Sequence, residues 1–272
     1  MVMYEILLLL LAAVGAGAMN AVVGAGTLIT FPTLLALGFP PVVANVSNTV
    51  GLVPGSVAGA YGFRSTLVGR WPLVARLVGA SALGGIVGGG LLLALPPGAF
   101  AVAVPPLLLL SGVLAAIQPR VATAVVRRRE QRALASPPAD PEVAGTTPTE
   151  APRREPVHPA LIVSVAATGV YGGYFGAAQG VILLAVLGVF VAGGMTEVNG
   201  IKNVLAGMAN LVSAVLFIVI ADVDWQVAGI VAIGATIGGG LGARYGRRLP
   251  AHVLRPIVVG VAVTAAIWQF LT

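Results

Sequence analysis

The stretch LLLLLAAVGAGA, residues 7–18, holds no charged or amide side chain and does not alternate between apolar and polar residues. Comparable apolar runs of roughly 20 residues recur along the chain, which is the length of a helix that crosses a hydrocarbon core about 30 Å thick. A membrane β-barrel would instead need alternating segments of about ten residues. The pattern predicts an all-α polytopic membrane protein embedded in the lipid bilayer.

Composition excludes several other classes of protein. Hydrophobic residues make up 58% of the 272 positions and charged residues 9%, whereas a soluble domain usually carries about a quarter charged residues. The formal net charge of +6 does not indicate nucleic acid, because the arginines cluster beside apolar runs as the positive-inside rule describes. The chain has no cysteine and only two isolated histidines, so we expect no metal site and no cofactor. We find no nucleophile–base pair or acidic dyad within the apolar runs, and we expect no enzyme.

A polar segment divides the chain. Residues 120–157 are rich in Pro, Arg, Glu and Thr, which predicts a disordered linker. The apolar segments on either side define two transmembrane repeats, residues 1–119 and 158–272. The first apolar segment follows Glu5 rather than a basic region, so we interpret it as a transmembrane helix and not as a signal peptide.

The two segments are related by a constant offset that places Asn45 on Asn199. The same shift, without gaps, also superimposes these pairs: Gly26 and Gly180, Trp71 and Trp225, Gly84-Gly85 and Gly238-Gly239, Gly88 and Gly242, Leu95-Pro96 and Leu249-Pro250. A matched Trp and a matched Leu-Pro at one offset indicate an internal duplication. Each repeat is predicted to hold five helical elements, namely 4–23, 26–38, 41–63, 71–95 and 99–118, then 159–178, 181–192, 197–221, 225–246 and 252–271. The second element of each repeat is short, so we expect about eight full spans plus two short elements that are spanning or re-entrant.

Charge gives the orientation of the repeats. Arg64 and Arg70 follow the third element of the first repeat, whereas Asp222 and Asp224 follow its counterpart. Arginines beginning at Arg127 place the linker in the cytoplasm. Equivalent loops then face opposite sides, which makes the duplication an inverted repeat with both termini outside. Inverted repeats are typical of secondary transporters, whose substrates bind near the midplane at interrupted helices. The predicted location is the cell's inner membrane.

The stretch VNGIKNVLAGMAN, residues 198–210, carries a polar stripe. On a helix its polar side chains fall within an arc of about 100°, and Lys202 is the only lysine of the chain. The stripe consists of Asn199, Lys202, Asn203 and Asn210, and the offset pairs it with Asn45, Asn48, Thr49 and Ser56. A lysine near the bilayer centre costs at least about 2.5 kcal/mol, which an anion bound between two facing stripes would offset. The alternative is that Lys202 snorkels to a surface while the amides join helices.

Glycine-containing breaks precede both short elements. NAVVGAGTLITFP, residues 20–32, contains Gly24 and Gly26, and YFGAAQGVILL, residues 174–184, contains Gln179 and Gly180. A helix that starts after such a break directs unpaired N–H groups and the positive end of its dipole toward the break. Two such starts would form a cradle for an anion, although glycines in membrane helices also serve close packing.

With these residues in view, the chain resembles the TauE/SafE family of sulfite and organosulfonate exporters. The stretches that carry the resemblance are residues 22–63, residues 169–190, NGIKNVLAGMANLVSAVLF (199–217) and residues 224–250. The resemblance implies transport of a small sulfur-containing anion by alternating access between the repeats.

Two alternatives remain open at this stage. One is an anion channel that uses the same stripes, and the other is a membrane scaffold that acts through the arginine-rich linker, which its deletion would test. No carboxylate lies deep in a predicted span, so a buried proton relay is missing, and Glu197 near a helix end is the one candidate for such a role. An anion could instead be exported down the inside-negative membrane potential without proton coupling. A homo-oligomer is possible.

Overall fold

The computed structural model describes residues 1–135 and 157–245, and these ranges are helical without a β-strand. They form nine α-helices and one short 3-10 helix, Arg64–Leu67. The α-helices are α1 Met3–Val22, α2 Thr27–Ala36, α3 Pro41–Gly62, α4 Trp71–Ala94, α5 Pro97–Ala135, α6 Pro159–Tyr174, α7 Gln179–Phe190, α8 Met195–Ile220 and α9 Trp225–Tyr245. The predicted all-α class is therefore confirmed for the described residues, and the predicted element 252–271 lies outside them.

Local sequence sets several helix starts. Pro41 and Pro159 occupy the first turns of α3 and α6, where the missing N–H of proline has no partner to lose. Asp224 precedes α9, and its Oδ1 accepts a hydrogen bond from the N–H of Val227 at 3.0 Å. The predicted short elements are confirmed, because α2 has 10 residues and α7 has 12. At 1.5 Å per residue they extend only about 15–18 Å.

Five helices of the described residues are long and apolar enough to cross a membrane. They are Met3–Val22, Trp71–Ala94, Pro97–Arg128 within α5, Met195–Ile220 and Trp225–Tyr245. α3 has 22 residues but is made more polar by its stripe, and α6 has 16 residues. These spans support a multi-pass membrane protein, and the count of eight full spans stays a prediction.

α5 differs from the prediction at its C-terminal end. We expected the helix to end near residue 118 and the disordered linker to begin at 120, but the helix continues to Ala135. Residues 120–135 are rich in Ala and Arg, which are strong helix formers even where little is buried. Val125 also packs its side chain against Gly188 of α7. The linker's remaining residues, 136–156, lie outside the described part of the chain.

Packing between the two halves is reciprocal. α4 of the first half packs against α6 and α8 of the second, while α9 of the second half packs against α1 and α3 of the first. Under the offset, α4 corresponds to α9, α1 to α6 and α3 to α8, so each contact has a counterpart with the halves exchanged. A twofold relation between two similar halves produces this pattern.

Glycine rows make these helix crossings close, as the spacing of the glycines predicts. On α4, a Cβ at Gly84 would meet the backbone of α6, and one at Gly85 would meet the backbone of α8. On α9, a Cβ at Gly238 would meet the backbone of α1, and one at Gly239 would meet Gly55 of α3. Two adjacent faces of α4 and of α9 are thus each packed backbone to backbone against the opposite half.

Candidate functional site

The two helix breaks meet in direct backbone contact. Gly24, which follows α1, has a φ of +83° and lies against Gly180 in the first turn of α7. The N–H of Gly180 donates to the carbonyl oxygen of Gly24 at 3.0 Å. A Cβ on either glycine would meet the Cα of the other, so neither position has room for a side chain. In this conformation the two backbones fill the space that the predicted anion cradle would use between Gly24 and Gly180.

Gly26 has a different environment from Gly24. A Cβ at Gly26 would meet the carbonyl oxygen of Ala16 and the Cβ of Asn20, both on α1. Gly26 therefore allows the start of α2 to fold back closely on α1. The structure brings Gly24 and Gly180 together, whereas Gly26 contacts α1 of its own half.

The second break is held in place by hydroxyl groups. Ala178, the counterpart of Gly24 under the offset, has a φ of +59°, a conformation that costs a non-glycine residue roughly 1–2 kcal/mol. The carbonyl oxygen of the preceding Ala177 accepts hydrogen bonds from Tyr171 Oη at 2.6 Å and from Ser111 Oγ at 3.2 Å. The two hydroxyls also lie 2.7 Å apart. α5 and α6 thereby fix the strained turn that starts α7.

Lys202 binds the C-terminal end of the first broken helix. Its side chain is 0% exposed, and Nζ donates to the carbonyl oxygens of Asn20 at 3.3 Å and Ala21 at 3.2 Å. Asn203 Nδ2 donates to the same carbonyl of Ala21 at 3.1 Å. Because α1 ends at Val22, these carbonyls belong to its last turn and lack helical partners. A cation at a helix C-terminus is also favoured by the helix dipole. Lys202 does not reach a surface, so the snorkelling alternative is wrong for this structure.

The first half makes the equivalent contact with the second. Asn45 Nδ2 donates to the carbonyl oxygen of Tyr174, the last residue of α6, at 3.1 Å. The offset pairs Tyr174 with Asn20, the residue that Lys202 binds. Each polar stripe therefore binds the end of the other half's broken helix. These hydrogen bonds go to α1 and α6, and the binding of an anion between the two facing stripes stays a prediction.

Several buried polar atoms have no hydrogen-bond partner among the described residues. Asn48 is 0% exposed and both atoms of its amide are unpartnered, as is Nε2 of the buried Gln179. The others are Thr30 Oγ1, Asn45 Oδ1 and Asn199 Oδ1. Leaving such a group buried without a partner costs about 1–3 kcal/mol. Buried polar groups in native proteins are nearly always satisfied, so this set suits water or a polar ligand.

The residues with unpartnered atoms belong to four helices, α2, α3, α7 and α8. Asn48 is one helical turn beyond Asn45, on the same face of α3, and the buried Thr49 follows it. The carboxamide of Gln179 lies against Gly172 of α6, where a Cβ would leave it no room. Asn199 is half-buried in the first turns of α8.

A cavity of about 440 Å³ opens beside the first break. It lies between α3, α8 and the start of α4, and Asn203 and Ser56 form part of its wall. Ser56 Oγ accepts a hydrogen bond from Asn20 Nδ2 at 3.4 Å, which connects this wall to the end of α1. We call this cavity the vestibule; its remaining lining residues are Val57, Ala60, Tyr61, Arg64, Trp71, Val204, Gly207, Met208 and Leu211.

An ion pair joins the halves next to the vestibule. Arg70 Nη2 lies 3.0 Å from Glu197 Oε2, and Arg70 Nε donates to the same oxygen at 3.1 Å. Glu197 is in the first turn of α8, and Arg70 directly precedes α4. Glu197, the one candidate for a proton relay, is thus paired with a guanidinium at a helix end.

Sequence reasoning missed several residues of this region. Asn20, Thr30 and Ser111 were not singled out as site residues. The offset contained one signal, since it pairs Asn20 with Tyr174 at the two broken ends. Ser111 and Thr30 gave none, because isolated hydroxyl residues are common in membrane helices.

The sequence of this chain is similar to those of known membrane proteins. Residues 9–268 match the sequence model of the family described as "Sulfite exporter TauE/SafE". The chain is 25% identical over 244 residues to a protein of Haemophilus influenzae named "Probable membrane transporter protein", covering 88% of this chain and 84% of that relative. No solved structure matches the chain.

Proposed function

Because the chain belongs to the TauE/SafE family and is a multi-pass membrane transporter, we propose that it exports a small sulfur-containing oxyanion such as sulfite or an organosulfonate. The observation that carries the proposal is the crossed arrangement at the breaks, where each half binds the end of the other half's interrupted helix. Interrupted helices that meet at an interface between repeats are where secondary transporters bind their substrates.

The donors that remain unpartnered suit an oxyanion. Asn48 Nδ2 and Gln179 Nε2 are buried amide N–H groups that find no acceptor in the described part of the chain. A sulfite or sulfonate group offers three oxygen acceptors, so binding would satisfy these donors together. Lys202 would supply the positive charge; in this conformation its ammonium group donates to the carbonyls of Asn20 and Ala21. The anion is proposed to bind between the breaks when Gly24 and Gly180 separate.

The reciprocal contacts between the halves support an inverted repeat that works by alternating access. Motion of one half against the other would break the single backbone hydrogen bond between Gly24 and Gly180. In the orientation that Arg64 and Arg70 favour, the vestibule faces the cytoplasmic side of the inner membrane, from which an exported anion would enter. An inside-negative potential favours export by about 2.3 kcal/mol per charge per 100 mV.

Flux measurements test the proposal. Purified protein is reconstituted into liposomes, and radiolabelled sulfite flux is followed across an imposed potential for the wild type, Lys202→Ala and Arg76→Ala. Arg76 is an exposed arginine of α4 and controls for the loss of one positive charge. We expect saturable, potential-dependent flux that Lys202→Ala abolishes and Arg76→Ala retains. Absence of flux in the wild type refutes the substrate class, and normal flux in Lys202→Ala leaves Lys202 a structural role only.

A further inference from the structure

Under the offset that relates the halves, Asn48 corresponds to Lys202. The end of α6 likewise corresponds to the end of α1. At the first break, the ammonium group of Lys202 donates to two carbonyl oxygens in the last turn of α1. At the second break, the carbonyl oxygen of Tyr174 accepts a hydrogen bond from the neutral amide of Asn45 at 3.1 Å. The position that supplies a full positive charge at one helix end therefore holds a neutral side chain at the other.

The end of α6 attracts a cation for the same physical reason as the end of α1. The last carbonyl groups of a helix have no helical partners and form the negative end of its dipole, which favours a positive charge nearby. The amide of Asn45 contributes only a partial charge there. Phe175, which follows α6, is 1% exposed, so little solvent is present to screen the remaining negative potential.

The amide of Asn48 is buried and unpartnered. Its side chain is 0% exposed, and neither Nδ2 nor Oδ1 has a hydrogen-bond partner among the described residues. Oδ1 of Asn45 is unpartnered in the same way. The two residues are three positions apart on α3, which places their Cβ atoms about 5–6 Å from one another. Two oxygen atoms without a donor thus belong to the face of α3 that contacts the end of α6 through Asn45.

A small ligand is needed to complete the second break as the ammonium group completes the first. Asparagine has a shorter side chain than lysine, so Asn48 does not extend as far toward α6 as Lys202 extends toward α1. The groups around this gap include three oxygen acceptors, namely Asn45 Oδ1, Asn48 Oδ1 and the carbonyl oxygen of Tyr174. A metal cation binds such lone pairs together and also balances the negative potential of the helix end, which a water molecule does not.

We propose that the second break binds a monovalent metal cation through Asn48 Oδ1, Asn45 Oδ1 and the carbonyl oxygen of Tyr174. The C-terminal ends of interrupted helices coordinate sodium in secondary transporters. The ligands are neutral, which favours sodium or potassium over calcium and magnesium, because the divalent ions are bound through carboxylates. Amide and carbonyl oxygens form this site, so the lack of cysteine, from which we expected no metal site, does not bear on it. The inference goes beyond the proposed function and holds for whichever anion is carried, since Asn48 Nδ2 still points away from the ion.

Ion binding is measured on the purified full chain in detergent, with choline chloride holding the ionic strength constant. Radiolabelled sodium and radiolabelled rubidium, which stands for potassium, are titrated by scintillation proximity. Thermal unfolding is followed in parallel, because an ion that binds only the folded state raises the melting temperature with its concentration. We expect saturable binding and a rise in melting temperature for sodium or rubidium, with the tighter ion identifying the occupant, and no effect of magnesium. Absence of saturable binding by both ions would overturn the proposal and leave water in the gap.

Substitutions of Asn48 separate a ligand from a packing role. Asn48→Leu removes the oxygen at similar volume, and we expect it to weaken ion binding at least about tenfold. Asn48→Lys supplies an ammonium group, as Lys202 does at the first break. We expect it to abolish ion binding while melting in choline alone at no lower a temperature than the wild type. A packing role would instead lower the melting temperature of both variants and leave ion binding unchanged.

A control and a further variant complete the design. Gln226→Ala removes an exposed amide at the start of α9 and should bind the ion as the wild type does. Asn48→Asp keeps the oxygen and adds a negative charge, so it should bind the ion more tightly and decides the matter should the other Asn48 variants fail to fold. Ion binding that survives Asn48→Leu or Asn48→Lys unchanged would overturn the proposal. Ion binding without sulfite flux would refute the proposed export and keep the cation site, whereas flux without ion binding would do the reverse.

Discussion

Substitution of Gly24 by alanine tests whether contact between the breaks is a structural requirement of this transporter. The new alanine would have to adopt a left-handed backbone conformation, and its Cβ would also meet the Cα of Gly180. The conformation costs roughly 1–2 kcal/mol. Overpacking against a neighbour that cannot yield costs about 1–3 kcal/mol more. We expect Gly24→Ala to lower the free energy of unfolding by about 2–5 kcal/mol.

Two further glycines separate these contributions. Gly38 has a φ of +85° and no atom within 4 Å of its added Cβ, so Gly38→Ala carries the conformational cost alone. Gly180→Ala carries the steric cost alone, because its Cβ would meet the Cα of Gly24 without a positive φ. The expected order of destabilisation places Gly24→Ala above either single-cost variant.

Stability and flux are measured on the same four preparations, including the wild type. Thermal unfolding in detergent is followed by intrinsic fluorescence, and sulfite flux is followed after reconstitution. We expect Gly38→Ala to keep most of its flux, while Gly24→Ala and Gly180→Ala lose it. The reasoning is refuted if Gly24→Ala is no less stable than Gly38→Ala, because the steric contribution would then be absent.

Two other contacts give smaller effects. Glu197→Gln removes the ion pair with Arg70, whose two side chains are 34% and 21% exposed, so we expect the free energy of unfolding to fall by less than about 1 kcal/mol. The pH dependence of flux, measured across neutral pH, should stay unchanged. A flattened pH profile would instead make Glu197 a proton relay. Tyr171→Phe leaves Ala177 O one hydroxyl partner, Ser111, and should cost about 0.5–1.5 kcal/mol in thermal unfolding. Adding Ser111→Ala should cost more than the sum of the single variants, because only the double variant leaves the carbonyl without a partner; additive losses would argue against this clamp.

The predicted duplication rests in part on glycines at which the packing leaves no room for a side chain. Gly84-Gly85 and Gly238-Gly239 recur at one offset, and each pair allows one helix to contact two helices of the opposite half. The short second elements followed from the glycines that precede them. The resemblance to the TauE/SafE family is confirmed by the match over residues 9–268. The division into repeats 1–119 and 158–272 stays a prediction, as does the position of the linker in the cytoplasm.

The partners of the polar stripes were not readable in the same way. A helical projection shows that Lys202 and Asn203 share a face, but not which element of the other half lies opposite. The structure places the end of α1 there, so the carbonyls of Asn20 and Ala21 take the donors that we assigned to an anion. The C-terminal end of a broken helix carries partial negative charge. Such an end and a bound anion explain a buried lysine equally well, and the sequence alone does not distinguish them.

The two breaks are held by different chemistry, and this asymmetry bears on the transport cycle. The end of α1 is bound by a cation, Lys202, whereas the equivalent end of α6 is bound by a neutral amide, Asn45. The second break has instead the two hydroxyl contacts at Ala177. An arriving anion would compete with helix carbonyls for Lys202, but it has no lysine to withdraw from the second break. If the substrate is the proposed anion, its charge would promote release of the first break, which Ser56 connects to the wall of the vestibule.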